Sequence, residues 1–231
     1  MLATGASVSP AILRLRGRLE GLSLAVRPGA AAAVLGIPAA ELTGAVIPLH
    51  DLWRGEETGL LERMAEAPDD SARVGLLLEA MRRRLGRHHR WASDANRRAA
   101  IHAAQLLAGS GGRHSLQEVA QTIGVGERRL QQIFKLHVGV SPRAWSRLAR
   151  LHACLRALRG QPAPRWADVA VASGFYDQSH LVNEFKALCG MPPRRFLECF
   201  VSGSSKTAGP GATYPRRRSQ GERRAEHGAE A

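Results

Sequence analysis

Along most of the chain, apolar positions recur at three- and four-residue spacing, the period of an amphipathic helix. In the second half this pattern occurs twice in one order: short helix, glycine, turn, second helix. In the first occurrence Leu116, Val119, Ala120 and Ile123 line one helix face, which Ser115 and Glu118 open as an S-x-x-E capping box and Gly124 closes. Leu130, Ile133 and Phe134 then repeat the apolar stripe and leave Arg128, Arg129, Gln131, Gln132 and Lys135 facing outward. In the second occurrence residues 167–173 predict a short helix with Val169, Ala170 and Ser173 on one face. Gly174 turns the chain, Phe175 plugs the corner and Asp177 caps a helix whose stripe is Leu181, Phe185 and Leu188. Its opposite face carries Gln178, Ser179, Val182, Asn183 and Lys186, and a proline-terminated exit follows.

The two occurrences superpose residue on residue. Glu118, Val119, Ala120 and Gly124 fall on Asp168, Val169, Ala170 and Gly174 at an offset of 50. Beyond the turn, Leu130, Phe134, Lys135, Gly139 and Pro142 fall on Leu181, Phe185, Lys186, Gly190 and Pro193 at an offset of 51. The second turn therefore holds one extra residue.

The segments around this repeat are read by the same rules. A helix from Ala95 to Leu107, capped by Ser93 or Asp94, points Ile101, Ala104, Leu107 and Ala108 at a core. Ser141 with Pro142 at the first helical position opens a long connector, with Trp145, Leu148, His152 and Leu155 on one side and Gly160 and Pro162 at its end. A helix of about 18 residues is about 27 Å long, which suits holding two readers about 34 Å apart, near one turn of duplex. Further upstream, Ile12 to Val26 alternates well enough for one or two strands, Gly36 ends a helix that a Pro-led short helix follows, and Pro48 to Trp53 is a connector. Glu56 to Met64 reads as helical, and Asp69, Asp70 and Ser71 cap a stronger helix with Val74, Leu77, Leu78, Met81 and Leu85 on one side. From Ser202 periodicity ceases and Gly, Ser, Pro and Arg dominate, the composition of a disordered tail. The expected fold is mainly α: two helix-turn-helix subdomains joined by a long connector helix, a short mixed α/β N-terminal region and a disordered C-terminal tail. The expected boundaries are 1–90, 93–199 and 200–231.

Charge changes the picture next. The formal net charge of +13 is uneven, with 13 basic and 6 acidic residues, net +7, between Arg113 and Phe200. A basic surface attracts DNA and releases its counterions, although an arginine-rich composition also follows from GC-rich coding. Cys154, Cys189 and Cys199 form an odd set without C-x-x-C spacing, as expected of a reduced, cytoplasmic protein. Neither a membrane-spanning run nor a secretory leader is expected.

The stretch GFYDQSHLVNEFKALCGMPP, residues 174–193, resembles the signature of the AraC/XylS family of bacterial transcription regulators. The similarity covers roughly residues 94–197 and includes the upstream repeat. It departs from the family at Gly126, where a Ser cap is usual and Gly caps less well. The resemblance implies two helix-turn-helix subdomains, each presenting a recognition helix to the major groove, and duplex DNA as the partner. It adds RNA polymerase for an activator and leaves room for a homodimer through the N-terminal region. Residues 1–90 resemble the closing part of an effector or dimerisation domain. Two strands cannot enclose a ligand cavity, so a small-molecule effector is unsupported.

The expected DNA contacts follow from side-chain chemistry, because Arg pairs bidentately with guanine and Gln or Asn with adenine. Base contact is expected from Arg128, Gln131 and Gln132 in the first recognition helix and from Gln178, Ser179 and Asn183 in the second, the positions that match the family's base readers. Lys135, His180 and Lys186 suit phosphates, and Arg129 adds to charge-driven affinity. The bland alternative is a solvated polar face, and the repeat weighs against it. Trp145, Trp166, Phe175, Phe185 and Phe196 have the spacing of core residues rather than stacking platforms. His88 and His89 have no further ligands at useful spacing, so no metal, cofactor or catalytic residue is expected. Two rivals from other classes are a DNA-targeted Cys-dependent alkyl-transfer enzyme and an unregulated partner-binding module. For the enzyme, no paired base, oxyanion donor or zinc cluster accompanies Cys154 or Cys189.

Overall fold

A computed structural model describes residues 1–10, 22, 24–55, 59–87, 94–158 and 164–200, and it is mainly helical. The elements are β1 (Leu2–Thr4), α1 (Ala31–Leu35), a 3-10 turn (Ala39–Leu42), β2 (Val46–Pro48), α2 (Leu49–Trp53), α3 (Leu60–Glu66), α4 (Asp70–Arg87) and α5 (Ala95–Gly109). There follow α6 (Leu116–Ile123), α7 (Glu127–Val138), α8 (Pro142–Ala157), α9 (Trp166–Ala172), α10 (Gln178–Cys189) and α11 (Pro193–Phe200). The expectations for residues 11–21, for His88, His89 and Arg90, for Gly160 and Pro162, and for the tail from 201 lie outside the described residues, as does the side chain of Cys199.

Three apolar clusters organise the chain. The first joins α5, α6 and α7 through Ala100, Ala103, Ala104, Leu107, Val119, Ala120, Leu130, Ile133 and Phe134. Alanines on α5 let α7 approach closely, and this is the most extensive helix pairing in the fold. The second cluster joins α8, α9 and α10 through Leu151, Cys154, Val169, Ala170, Phe175, Leu181, Phe185 and Leu188. Helix α8 feeds both. Ala144 and Trp145 pack on the first cluster, and Leu148, Leu151, Cys154 and Leu155 on the second.

Because its buried face rotates along its length, α8 does not carry one stripe: His152 is exposed, whereas Leu151 and Cys154 are buried. On α5, similarly, Ala108 is exposed while Ala100 and Ala103 are fully buried against α7. The expected connector of about 18 residues is a helix of 16. The proline-terminated exit is itself a helix, α11, whose Phe196 and Leu197 pack on the second cluster.

The third cluster gathers α1, the 3-10 turn, α2, α3 and α4 around Val34, Leu42, Trp53, Leu60 and Ala80. Gly36 closes α1 in the left-handed conformation at φ 81°, so the Val34 carbonyl in the last turn has no helical partner. Two side chains satisfy it, Trp53 Nε1 at 3.1 Å and Arg84 Nε at 3.0 Å. The Arg84 guanidinium also lies 5.4 Å from the Trp53 ring centroid. The connector expected at residues 48–53 is thus the end of a strand and a short helix, and its Trp53 is buried. The strands also differ from expectation: β1 and β2 pair antiparallel with Leu2 opposite Pro48, and residues 24–27 form no strand. On α4 the buried row runs through Ala80 and Arg84, which leaves Leu85 exposed. Asp69 Oδ1 accepts from the Ala72 N–H at 2.8 Å and caps that helix as expected.

This third unit rests on the ends of the second half. The Thr43 hydroxyl donates to the Gly139 carbonyl just past α7, and Gly29 sits against Ile101 of α5. Ala6 packs on the first cluster and Val8 on the second, and Pro10 reaches Gly190 just past α10. The glycines that follow the two outward-facing helices are therefore both backed by the first 43 residues.

Candidate nucleic-acid interface

The local chemistry that sets α7 and α10 is visible atom by atom. Ser115 and Glu118 form the capping box of α6: the Ser115 N–H donates to Glu118 Oε2 at 2.8 Å, and Ser115 Oγ accepts from the Glu118 N–H at 3.2 Å. These bonds hold the Glu118 carboxyl below its ordinary pKa. Gly124 then turns the chain at φ 77°, and Gly174 does so at φ 83°, a conformation costly for any residue with a Cβ. Helix α7 starts at Gly126 with no side-chain cap. Helix α10 starts at Asp177, whose Oδ1 accepts from the His180 N–H at 2.7 Å. The extra residue of the second turn is accommodated by Tyr176, which is 88% exposed. Its exposure was not anticipated, although the one-residue difference between the two turns pointed to the place.

The apolar anchors fix which side chains face outward. Leu130, Ile133, Phe134 and His137 are buried on α7, so Arg128, Gln132 and Lys135 form the opposite ridge, all exposed. Leu181, Phe185 and Leu188 are buried on α10, and its opposite ridge is Ser179, Asn183 and Lys186, again all exposed. The two ridges match position for position at the offset of 51. Gln131 and Gln178 are exposed on the flanks.

Two of the expected contact residues make bonds within the protein. Arg129 Nη2 donates to Asn96 Oδ1 of α5 at 3.1 Å. His180, the residue that matches Arg129 at the same offset, is half-buried, accepts from the Tyr176 N–H through Nδ1 at 3.3 Å and meets the Phe175 ring edge-on at 5.5 Å. Val182, expected on the outward face, is half-buried against the second cluster. The flanks of each helix thus tie it to its own unit, and the ridge is left for solvent or a ligand.

Between the units, three arginines make specific bonds. Arg113 Nη2 donates to the Ala172 carbonyl at the end of α9 at 2.6 Å, a cation at the negative end of a helix. Arg147 Nε donates to Glu184 Oε2 of α10 at 2.6 Å. Arg150 Nη1 donates to the Gly112 carbonyl at 3.0 Å. The role of these side chains was missed from sequence, although Arg143, Arg147 and Arg150 recur at three- and four-residue spacing along α8.

The aromatic residues lie where core residues belong. Phe175 and Phe185 are buried, and Trp145, Trp166 and Phe196 are partly buried against the clusters. The two cysteines whose side chains are described suit the same role. Burial pushes the thiols of Cys154 and Cys189 up to about 11, opposite to what a nucleophilic thiolate needs. Among the described residues no cluster of His, Cys, Asp and Glu could hold a metal ion, and no helix is long and apolar enough to cross a membrane.

Comparison with known families finds a match to a family described as a helix-turn-helix domain, over residues 119–198. The match begins inside α6, so α5 lies outside it although α5 is the main packing partner of α7. Neither the curated proteins nor the solved structures yield a significant match. The matched interval holds both ridges, both left-handed glycine turns and the signature at residues 174–193. Residues 119–198 are a helix-turn-helix domain of the AraC/XylS type.

Proposed function

We propose that residues 94–200 read duplex DNA as two helix-turn-helix units held by α8, with α7 and α10 entering successive major grooves on one side of an asymmetric site. One observation carries this reading: Arg128, Gln132 and Lys135 and their counterparts Ser179, Asn183 and Lys186 occupy the same register on two separately anchored helices. A structural need for polar surface would not require that register. Sixteen residues of α8 span about 24 Å at 1.5 Å per residue, a separation compatible with grooves about 34 Å apart once the width of the flanking helices is added. Ridge composition differs, so the two half-sites differ. Arg128 and Gln132 suit guanine and adenine, and Asn183 suits adenine. Residues 1–87 then serve as a support behind the reading helices, and the reading assigns them no small-molecule effector.

The test is selection of bound duplexes from a random pool with the full chain, followed by measurement of stoichiometry. The expected result is a bipartite, non-palindromic motif bound by one protomer, with its halves about one helical turn apart. A motif with internal two-fold symmetry at one protomer per site would reject the two-headed reading.

A further inference from the structure

We propose that the cleft between α8 and α10 is a binding site for a phosphate-type oxyanion. The cleft encloses about 550 Å³ and is lined by Ser141, Arg143, Ala144, Arg147 and Arg150 from the start of α8 and by His180 and Glu184 from α10. Arg143, Arg147 and Arg150 stand at i, i+4 and i+7, so one helix face delivers three guanidinium groups to one place. A single carboxylate, Glu184, answers them.

The three arginines are not equally engaged. Arg147 is oriented by its bond to Glu184, with both side chains half-buried. Arg150 is held by the Gly112 carbonyl and lies 5.9 Å from the Phe175 ring, but its Nε is buried with no hydrogen-bond partner. Arg143 is exposed and makes no bond among the described residues. Burial holds the pKa of Arg150 below its ordinary value, and the neighbouring Arg147 and Arg143 push the same way, while Glu184 opposes. Convergent cations left in surplus are a cost to the fold that an anion removes. Guanidinium forks match the paired oxygens of a phosphate in geometry as well as charge. A metal cation is disfavoured by the same surplus, and an apolar ligand by the polar walls.

Two sources can supply the group: a backbone phosphate of the DNA between the two grooves, or a free phosphorylated small molecule. The first deepens the reading proposed above and rests on it, because His180 and Glu184 directly follow the ridge residues Ser179 and Asn183 along α10. The second does not depend on it.

The experiment uses the full chain, inorganic pyrophosphate as probe, and the variant Arg143→Gln, whose side chain is exposed and unbonded so that folding is not at stake. Pyrophosphate binding is measured by titration calorimetry without DNA, and DNA affinity for the selected duplex is measured across a range of salt. Loss of charge-assisted bonds from Arg143 is expected to weaken its ligand about tenfold. If the DNA backbone fills the cleft, Arg143→Gln lowers the slope of log affinity against log salt by about one, and pyrophosphate competes with the duplex. If a free anion fills it, Arg143→Gln weakens pyrophosphate and leaves the DNA slope unchanged. Both quantities unchanged in the variant would overturn the site. A chain that binds no DNA but loses pyrophosphate on substitution would reject the DNA reading and keep the oxyanion site.

Discussion

His137 Nε2, on the buried side of α7, lies 3.3 Å from Asp94 Oδ2, the residue whose other oxygen caps α5 at the Asn96 N–H. The imidazole is 2% exposed. Burial holds its pKa below the ordinary 6.5, the Arg97 charge adds to that, and the Asp94 carboxylate opposes. A histidine whose pKa is lowered in the fold takes up its proton more readily once unfolded. Stability is therefore complete above pH 6.5 and is lost as pH falls below it, with a limiting slope of about 1.4 kcal/mol per pH unit for one group. Urea midpoints measured from pH 7.5 to 5 should fall in this window, and His137→Gln should flatten that part of the profile. An unchanged profile in the variant would place the titrating group elsewhere.

Arg128 and Lys135 share the outward ridge of α7 but sit at opposite ends of it. On the proposed reading, Arg128 in the first turn meets a base edge and Lys135 in the last turn a phosphate. Arg128→Ala should cost about 1 to 3 kcal/mol and relax preference at one base position. Lys135→Ala should weaken all duplexes alike and lower the salt slope by about one. Affinity profiling on a panel of single-base variants checks both, and base relaxation in Lys135→Ala alone would reverse the roles.

Phe134 and Phe185 hold the same register position in the two repeats, each 0% exposed and each meeting a second aromatic ring edge-on, Trp145 at 6.3 Å and Phe196 at 5.3 Å. Truncation of either to Ala should cost about 3 to 5 kcal/mol through lost burial and the cavity left behind. The damage should be local in kind: Phe134→Ala should disturb amide signals of α5 to α7, and Phe185→Ala those of α9 to α11. Equal disturbance of both sets by either substitution would mean that the clusters melt as one.

What the sequence made legible, and what it hid, follows from how many partners each helix has. The ridges of α7 and α10 could be read because each helix contributes its apolar anchors to one cluster only, so those anchors define one outward face. Helix α8 packs on two clusters with different faces, and there the single stripe through His152 failed and did not include the buried Cys154. Trp53 looked like part of a connector because its burial depends on Val34 and Arg84, remote in sequence from it. The inward bond of Arg129 was likewise invisible, since its partner Asn96 lies on another helix, while that of His180 runs to the Tyr176 N–H of the preceding turn.

Gly126 and Gly139 bracket α7 and should respond oppositely to an added side chain. Gly126 is the N-cap, with φ −70° and ψ 147°, and a Cβ there would meet nothing within 4 Å. Gly126→Ser therefore supplies an acceptor for the first turn and removes freedom from the unfolded chain, a combined gain of about 0.5 to 1 kcal/mol. Gly139 has φ 97°, and a Cβ there would stand 2.8 Å from the Ala39 carbonyl oxygen, beside the bond from Thr43. Gly139→Ala must either distort that backbone or push the N-terminal unit away, and it should destabilise by more than Gly126→Ser stabilises. Paired urea titrations of the two variants decide the matter. Stabilisation by Gly139→Ala would show that the Thr43–Gly139 junction opens at no cost, and that the first 43 residues do not brace α7.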